Sequence, residues 1–159
     1  MRQNPLFALV LSVAVIAVAP VAFAAAAPRF QDYPANGSSG RTPKLRLDDA
    51  RGRQYATMLR DASRGKPNFA GHFILASRGC GASCTMAAAI DAKTGAVRWL
   101  PFTVCCWEAD IHEPLEFRPD SRLLIVHGSR DEQGSGVHYY SFDGRRFSEV
   151  PGRRHSLQP

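Results

Sequence analysis

From Phe69 to Ser77 the chain is apolar on both faces of an extended segment: Phe69, Gly71, Phe73 and Leu75 alternate with Ala70, His72, Ile74 and Ala76. The run is too short and too rich in Phe and Ile for a helix, and it predicts a strand buried on both sides. Two further runs, Thr85 to Asp91 and Ala96 to Leu100, flank Asp91-Ala92-Lys93-Thr94-Gly95. Asp starts a type I turn there, and Gly takes the positive φ that closes a bulged hairpin. Pairing Asp91 with Ala96 sets the register, and counting back places Cys84 nearly opposite Thr103. Cys80, Cys84, Cys105 and Cys106 then gather at one end of the sheet.

Before the hairpin, Tyr55, Met58, Leu59 and Ala62 recur at i, i+3, i+4 and i+7, which predicts one helix over 48–64, capped by Asp48 and stopped by Gly65 and Pro67. Gly52 weakens its first turn. After Trp107 the pattern returns to short strands: Leu115 to Arg118, Leu123 to His127, Val137 to Phe142, and Arg145 to Val150 beyond an Asp143-Gly144 turn. A charged, glycine-bearing loop spans Ser129 to Gly136. Phe73 to Pro101 and Leu123 to Pro151 repeat the same order of strand, loop, strand, Asp…Gly turn and strand, at a period of about fifty residues. The expected fold is mainly β: an antiparallel meander or sandwich of two similar strand-rich units, with one N-terminal helix.

Phe-Arg-Pro-Asp-Ser-Arg-Leu-Leu from Phe117, followed by Tyr-Tyr-Ser-Phe-Asp-Gly from Tyr139, resembles a β-propeller blade, which implies a β-meander and no particular function. Two blades cannot close a ring, which takes at least about four. Asn68 to Cys84, with its Asn-Phe-Ala-Gly-His-Phe and Gly-Cys-Gly-Ala-Ser-Cys, resembles a group of small, secreted, uncharacterised bacterial proteins. That likeness implies export and a β-rich domain, and no activity.

The N-terminus carries the expectation about compartment. Arg2 precedes an apolar run from Leu6 to Phe23 that ends with Ala22 and Ala24 in Ala-x-Ala spacing. This is the pattern of a secretory signal peptide over 1–24, cut within Ala24 to Ala27. No other stretch is long enough to span a bilayer, so no transmembrane segment is expected after cleavage. Residues 25–44, rich in Pro, Gly, Ser and Asn, read as a flexible lead-in; 45–151 form a single domain; 152–159 read as a flexible tail. The expected location is periplasmic or secreted.

Charge narrows the partners. The chain has 20 Lys and Arg against 14 Asp and Glu, a formal net charge of +6. Nucleic acid is not expected as a partner of an exported protein. An envelope protein or an anionic surface remains, although the arginines are spread along the chain as on an ordinary solvated face.

In an oxidising compartment Cys80, Cys84, Cys105 and Cys106 are expected to pair as disulfides, with three pairings open. Their spacing suits zinc poorly, because adjacent residues of an extended chain point to opposite faces. A cysteine hydrolase with Cys80 as nucleophile, His72 or His127 as base and Asp91 or Asp110 as orienter is the enzymatic alternative; bridged sulfurs argue against it. His72, His127 and His138 lie on predicted strands without ligand spacing, so no metal, cofactor or catalytic residue is assigned. Gly134-Ser135-Gly136-Val137-His138-Tyr139 resembles the Ser-Gly-x-x-Tyr loop of periplasmic inhibitors of c-type lysozyme, which implies roles for Ser135 and Tyr139. Arg130, Asp131, Glu132, Ser135 and Tyr139 are therefore the candidate binding loop. The sequence points to a non-catalytic binding or structural module of the cell envelope, with a lysozyme-type inhibitor as the alternative.

Overall fold

Phe73–Gly81 (β1) and Cys84–Asp91 (β2) form a long antiparallel hairpin in the computed structural model, which describes residues 26–37 and 44–152. The leader expected over 1–24, and the tail beyond Gly152, lie outside the described residues. Among the described residues no helix is long and apolar enough to cross a membrane.

The first strand starts later than its apolar pattern predicts. Ala70 and Gly71 take left-handed backbone conformations, with φ of 45° and 84°. Their amides donate to carbonyls of a distant turn, Ala70 to Ser121 at 3.1 Å and Gly71 to Pro119 at 2.7 Å. Those tertiary bonds bend the chain before Phe73, and the strand instead runs on past Ser77 to Gly81. Asn68 closes the bend: its side-chain oxygen accepts from the Leu75 amide at 2.7 Å.

Val97–Trp99 (β3) pairs with β2 through the expected turn, and the Asp91 amide donates to Ala96 at 2.8 Å. The Asp91 carboxylate accepts from the Lys93 amide at 2.7 Å and the Thr94 hydroxyl at 2.8 Å. Gly95, at φ 74°, passes so close to the Lys44 carbonyl that a Cβ would collide with it. Val104–Cys105 (β4) also pairs with β2, and Ser129–Arg130, numbered β7 in chain order, pairs with β4. The second sheet runs in the order β5 (Leu115–Phe117), β6 (Leu123–His127), β8 (Val137–Phe142), β9 (Phe147–Val150), all antiparallel.

Alternation along β2 explains the layers. Ala87 and Ala89 face a core shared with the second sheet, where Phe69, Phe73, Leu124, Val126, Phe142 and Phe147 meet. Ala88 and Ile90 face the other way, against Leu59 and the helical layer. A strand between two apolar layers has no polar face, which is why its sequence does not alternate. Phe69 is fully buried and its ring lies 5.4 Å from Phe142 and 6.1 Å from Phe147. Truncating it to Ala would cost about 3–5 kcal/mol.

The single helix expected over 48–64 is two short ones, Ala50–Gln54 (α1) and Ala56–Ala62 (α2), and Asp49 rather than Asp48 is the cap. Tyr55 interrupts them at ψ 23° and sets its ring edge-on to Trp99, 5.7 Å away. Arg51 lies over the same Trp99 ring at 4.3 Å. Within the stretch expected to be a flexible lead-in, residues 29–36 dock on the second sheet. The buried Ser121 hydroxyl bonds to the Phe30 and Tyr33 carbonyls at 2.8 and 3.0 Å, and the Arg122 amide donates to Tyr33 at 2.8 Å.

Candidate functional site

The four cysteines converge at one end of the first sheet, as the hairpin register requires. Cys80 and Cys84 are bridged across the β1–β2 turn with Cα atoms 5.1 Å apart. Cys105 and Cys106 are free thiols, against the expectation that all four would be paired. The expected register also shifts: Cys84 stands opposite Cys105, not Thr103. Between β3 and β4 the chain gains two residues around Pro101, which lacks the amide a ladder needs. A shift of two leaves the facing of side chains unchanged. Cys84 and Cys105 therefore share a face of the sheet.

Cys105 is buried and Cys106 exposed, with Cys106 in a left-handed conformation at φ 57°. The neighbouring Cys106 thiol, followed by burial, raises the Cys105 pKa above the ordinary thiol value, and the backbone of Glu132 opposes the rise.

The loop after β7 folds over this end. Arg130 and Gln133 exchange backbone hydrogen bonds of 3.0 and 2.9 Å, and Asp131 and Glu132 between them are both left-handed, at φ 48° and 64°. This is a type I′ turn without the Gly or Asn that such turns favour. Asp131 is clamped to Thr103: its carboxylate accepts from the Thr103 amide at 2.8 Å and hydroxyl at 3.0 Å, while its amide donates to the Thr103 carbonyl at 2.9 Å. Of five non-glycine residues with positive φ among the described residues, four (Ser83, Cys106, Asp131 and Glu132) belong to this end. Left-handed conformations cost about 1–2 kcal/mol each, and strain of this kind concentrates at functional sites. Gly128, at φ 110°, lies where a Cβ would meet the Cys105 carbonyl.

Beneath the turn, Arg130 reaches across to the second sheet. One guanidinium nitrogen donates to the Tyr140 hydroxyl and to the Glu149 carboxylate, both at 2.8 Å. These bonds raise the Arg130 pKa, the Tyr140 contact contributing most, and burial raises that of Tyr140. His138 sits beside them with its pKa lowered, first by burial and then by Arg130; its Nε2 atom is buried without a partner.

Of the predicted loop residues, Asp131, Glu132 and Ser135 are exposed at the turn and its glycine-flanked exit. Arg130 turns inward. Tyr139 lies within β8, opposite Ile125 and Val150, so Ser135 and Tyr139 do not share one loop. Sequence reasoning missed Thr103, Tyr140 and Glu149. Their partners lie 28, 10 and 19 residues away in the chain, and no local pattern marks them.

The hydrolase arrangement does not assemble. Cys80 is bridged, and His72 precedes the strand that holds Cys80 near its far end, about 26 Å away along extended chain. His72 Nε2 instead lies 3.5 Å from Asp91 at the opposite end of the sheet. His127 bonds to Glu116, and His127 and His138 project from opposite faces of the second sheet. Among the described residues no cluster of three His, Cys, Asp or Glu side chains could hold a metal ion. Comparisons with family models, with curated proteins and with solved structures found no match to this chain.

Proposed function

We propose that the chain is an exported, disulfide-stabilised binding module of the cell envelope, with the cysteine end as its contact surface. The observation that carries this reading is the Arg130–Gln133 turn: two exposed, left-handed acidic residues, of which Asp131 is clamped to Thr103, with Arg130 anchoring the turn to the second sheet. A rigid sheet that presents a preorganised polar turn loses little entropy on binding, which is how loops on scaffolds recognise partners. The turn carries Asp131 and Glu132, so a protein partner that offers basic or hydrogen-bonding groups fits this surface better than an anionic one. Ser135, exposed between the left-handed Gly134 and Gly136, supports the narrower reading of a lysozyme-type inhibitor.

The test replaces Asp131–Ser135 with Asn-Gly and compares capture of envelope proteins by the two forms after crosslinking. Loss of a partner captured by the intact protein, in a shortened form that circular dichroism shows to be folded at the temperature of capture, supports the reading. Capture of the same partners by the shortened form overturns it. Titration of a c-type lysozyme with intact protein and with Ser135→Ala decides the narrower form.

A further inference from the structure

Cys84 has two cysteines beside its position on the sheet. One is Cys80, its present partner; the other is Cys105, directly opposite in the β2–β4 ladder. Opposed residues of an antiparallel pair have Cα atoms about 4.5–5.5 Å apart, inside the range of about 4.4–6.8 Å that a disulfide spans. Their side chains leave the same face of the sheet. The backbone therefore satisfies the geometry of a Cys84–Cys105 bridge as it does that of Cys80–Cys84.

We propose that this end of the sheet is a thiol–disulfide exchange site, in which Cys105 attacks Cys84 and releases Cys80. The Cys105 thiol loses its proton, and its thiolate forms a bond to Sγ of Cys84. The Cys80–Cys84 bond breaks, and Cys80 leaves as a thiolate that takes up a proton. One disulfide and one thiol enter the step and one of each leaves it, so no external oxidant or reductant is required. The exchange moves a free thiol from a buried strand to the exposed end of β1, where Cys80 lies between Gly79 and Gly81. It also ties the tip of the β1–β2 hairpin to β4 in place of itself. Cys106 and Glu132 both neighbour the attacking thiol. The Cys106 thiol and burial both favour the protonated form of Cys105, so the exchange speeds up as the solution becomes alkaline. The site thus exposes the Cys80 thiol, beside that of Cys106, in one of its two states only.

The test is alkylation of the native, unreduced protein with iodoacetamide at about pH 8.5, near the ordinary thiol pKa, followed by peptide mapping. Cys106 should be modified directly and Cys80 more slowly, with Cys84 then found bridged to Cys105. Cys105→Ser should abolish modification of Cys80, and Cys106→Ser should retain it. An unmodified Cys80 in the intact protein overturns the proposal, as does modification of Cys80 that persists in Cys105→Ser. Should Cys105→Ser not fold, Cys80→Ser gives the second measurement. Treated with glutathione disulfide, its Cys84 and Cys105 should join as glutathione leaves in the reduced form. A Cys84–Cys106 bridge, or none, would overturn the assignment.

Discussion

Arg130 and Tyr140 join the two sheets by a hydrogen bond of 2.8 Å, from a strand of two residues to a strand of six. The Tyr140 ring belongs to the shared core, and its hydroxyl has been carried out of water with it. Removing the guanidinium leaves that hydroxyl without its partner. Arg130→Met should cost about 1–2 kcal/mol in urea unfolding; hydrogen bonds to charged groups are worth more, but Arg130 and Glu149 are partly solvated. A double-mutant cycle with Tyr140→Phe should show a coupling of about 0.5–1 kcal/mol. Additive losses would mean that the bond contributes nothing to joining the sheets.

The two left-handed acids should respond in opposite directions. Glu132 takes φ 64° with no side-chain hydrogen bond, so Glu132→Asn should raise stability by about 0.5–1 kcal/mol, because Asn tolerates that conformation. Asp131 holds Thr103, so Asp131→Gly should relieve strain yet lower stability through loss of both clamping bonds. Melting temperatures of the two variants check the pair. A rise in both would mean that strain outweighs the clamp.

Ser121 should control the N-terminal segment. Its buried hydroxyl serves the Phe30 and Tyr33 carbonyls and accepts from the Leu123 amide at 3.1 Å. Ser121→Ala should cost about 1–2 kcal/mol and raise amide hydrogen exchange at residues 32–35 before the sheets exchange. Unchanged exchange there would show that the segment is held by its backbone bonds alone.

Acid should weaken the fold in a window set by histidine. His72 and His138 both have lowered pKa values, burial being the first cause in each. As pH falls below the unfolded value of about 6.5, the unfolded chain takes up protons before the folded one, so stability drops. Above that value the two histidines add no slope. His138→Leu, which also removes the unpartnered Nε2, should flatten the decline in unfolding free energy between about pH 6.5 and 5. A curve identical to that of the intact protein would remove His138 from the titration.

Local chemistry alone determined a good part of this fold. Leucine and β-branched runs set β6 and β8 at their observed bounds, and the Asp91…Gly95 turn set the pairing of Asp91 with Ala96, because both depend on neighbours a few residues apart. Convergence of the cysteines at one end followed from that register. The repeat was also legible, since β1-β2-β3 and β6-β8-β9 are matching meanders. Tertiary structure decided the rest. The bend at Ala70 is drawn by carbonyls some fifty residues on, and Arg51 and Tyr55 of the helical segment meet a tryptophan from β3. Two residues inserted around Pro101 chose Cys105 as the partner of Cys84. Above all, the loop predicted from Ser129 begins as β7, a strand of the first sheet whose side chain enters the second. A two-residue strand has no period of its own; only the ladder it completes and the buried hydroxyl it meets determine where it lies.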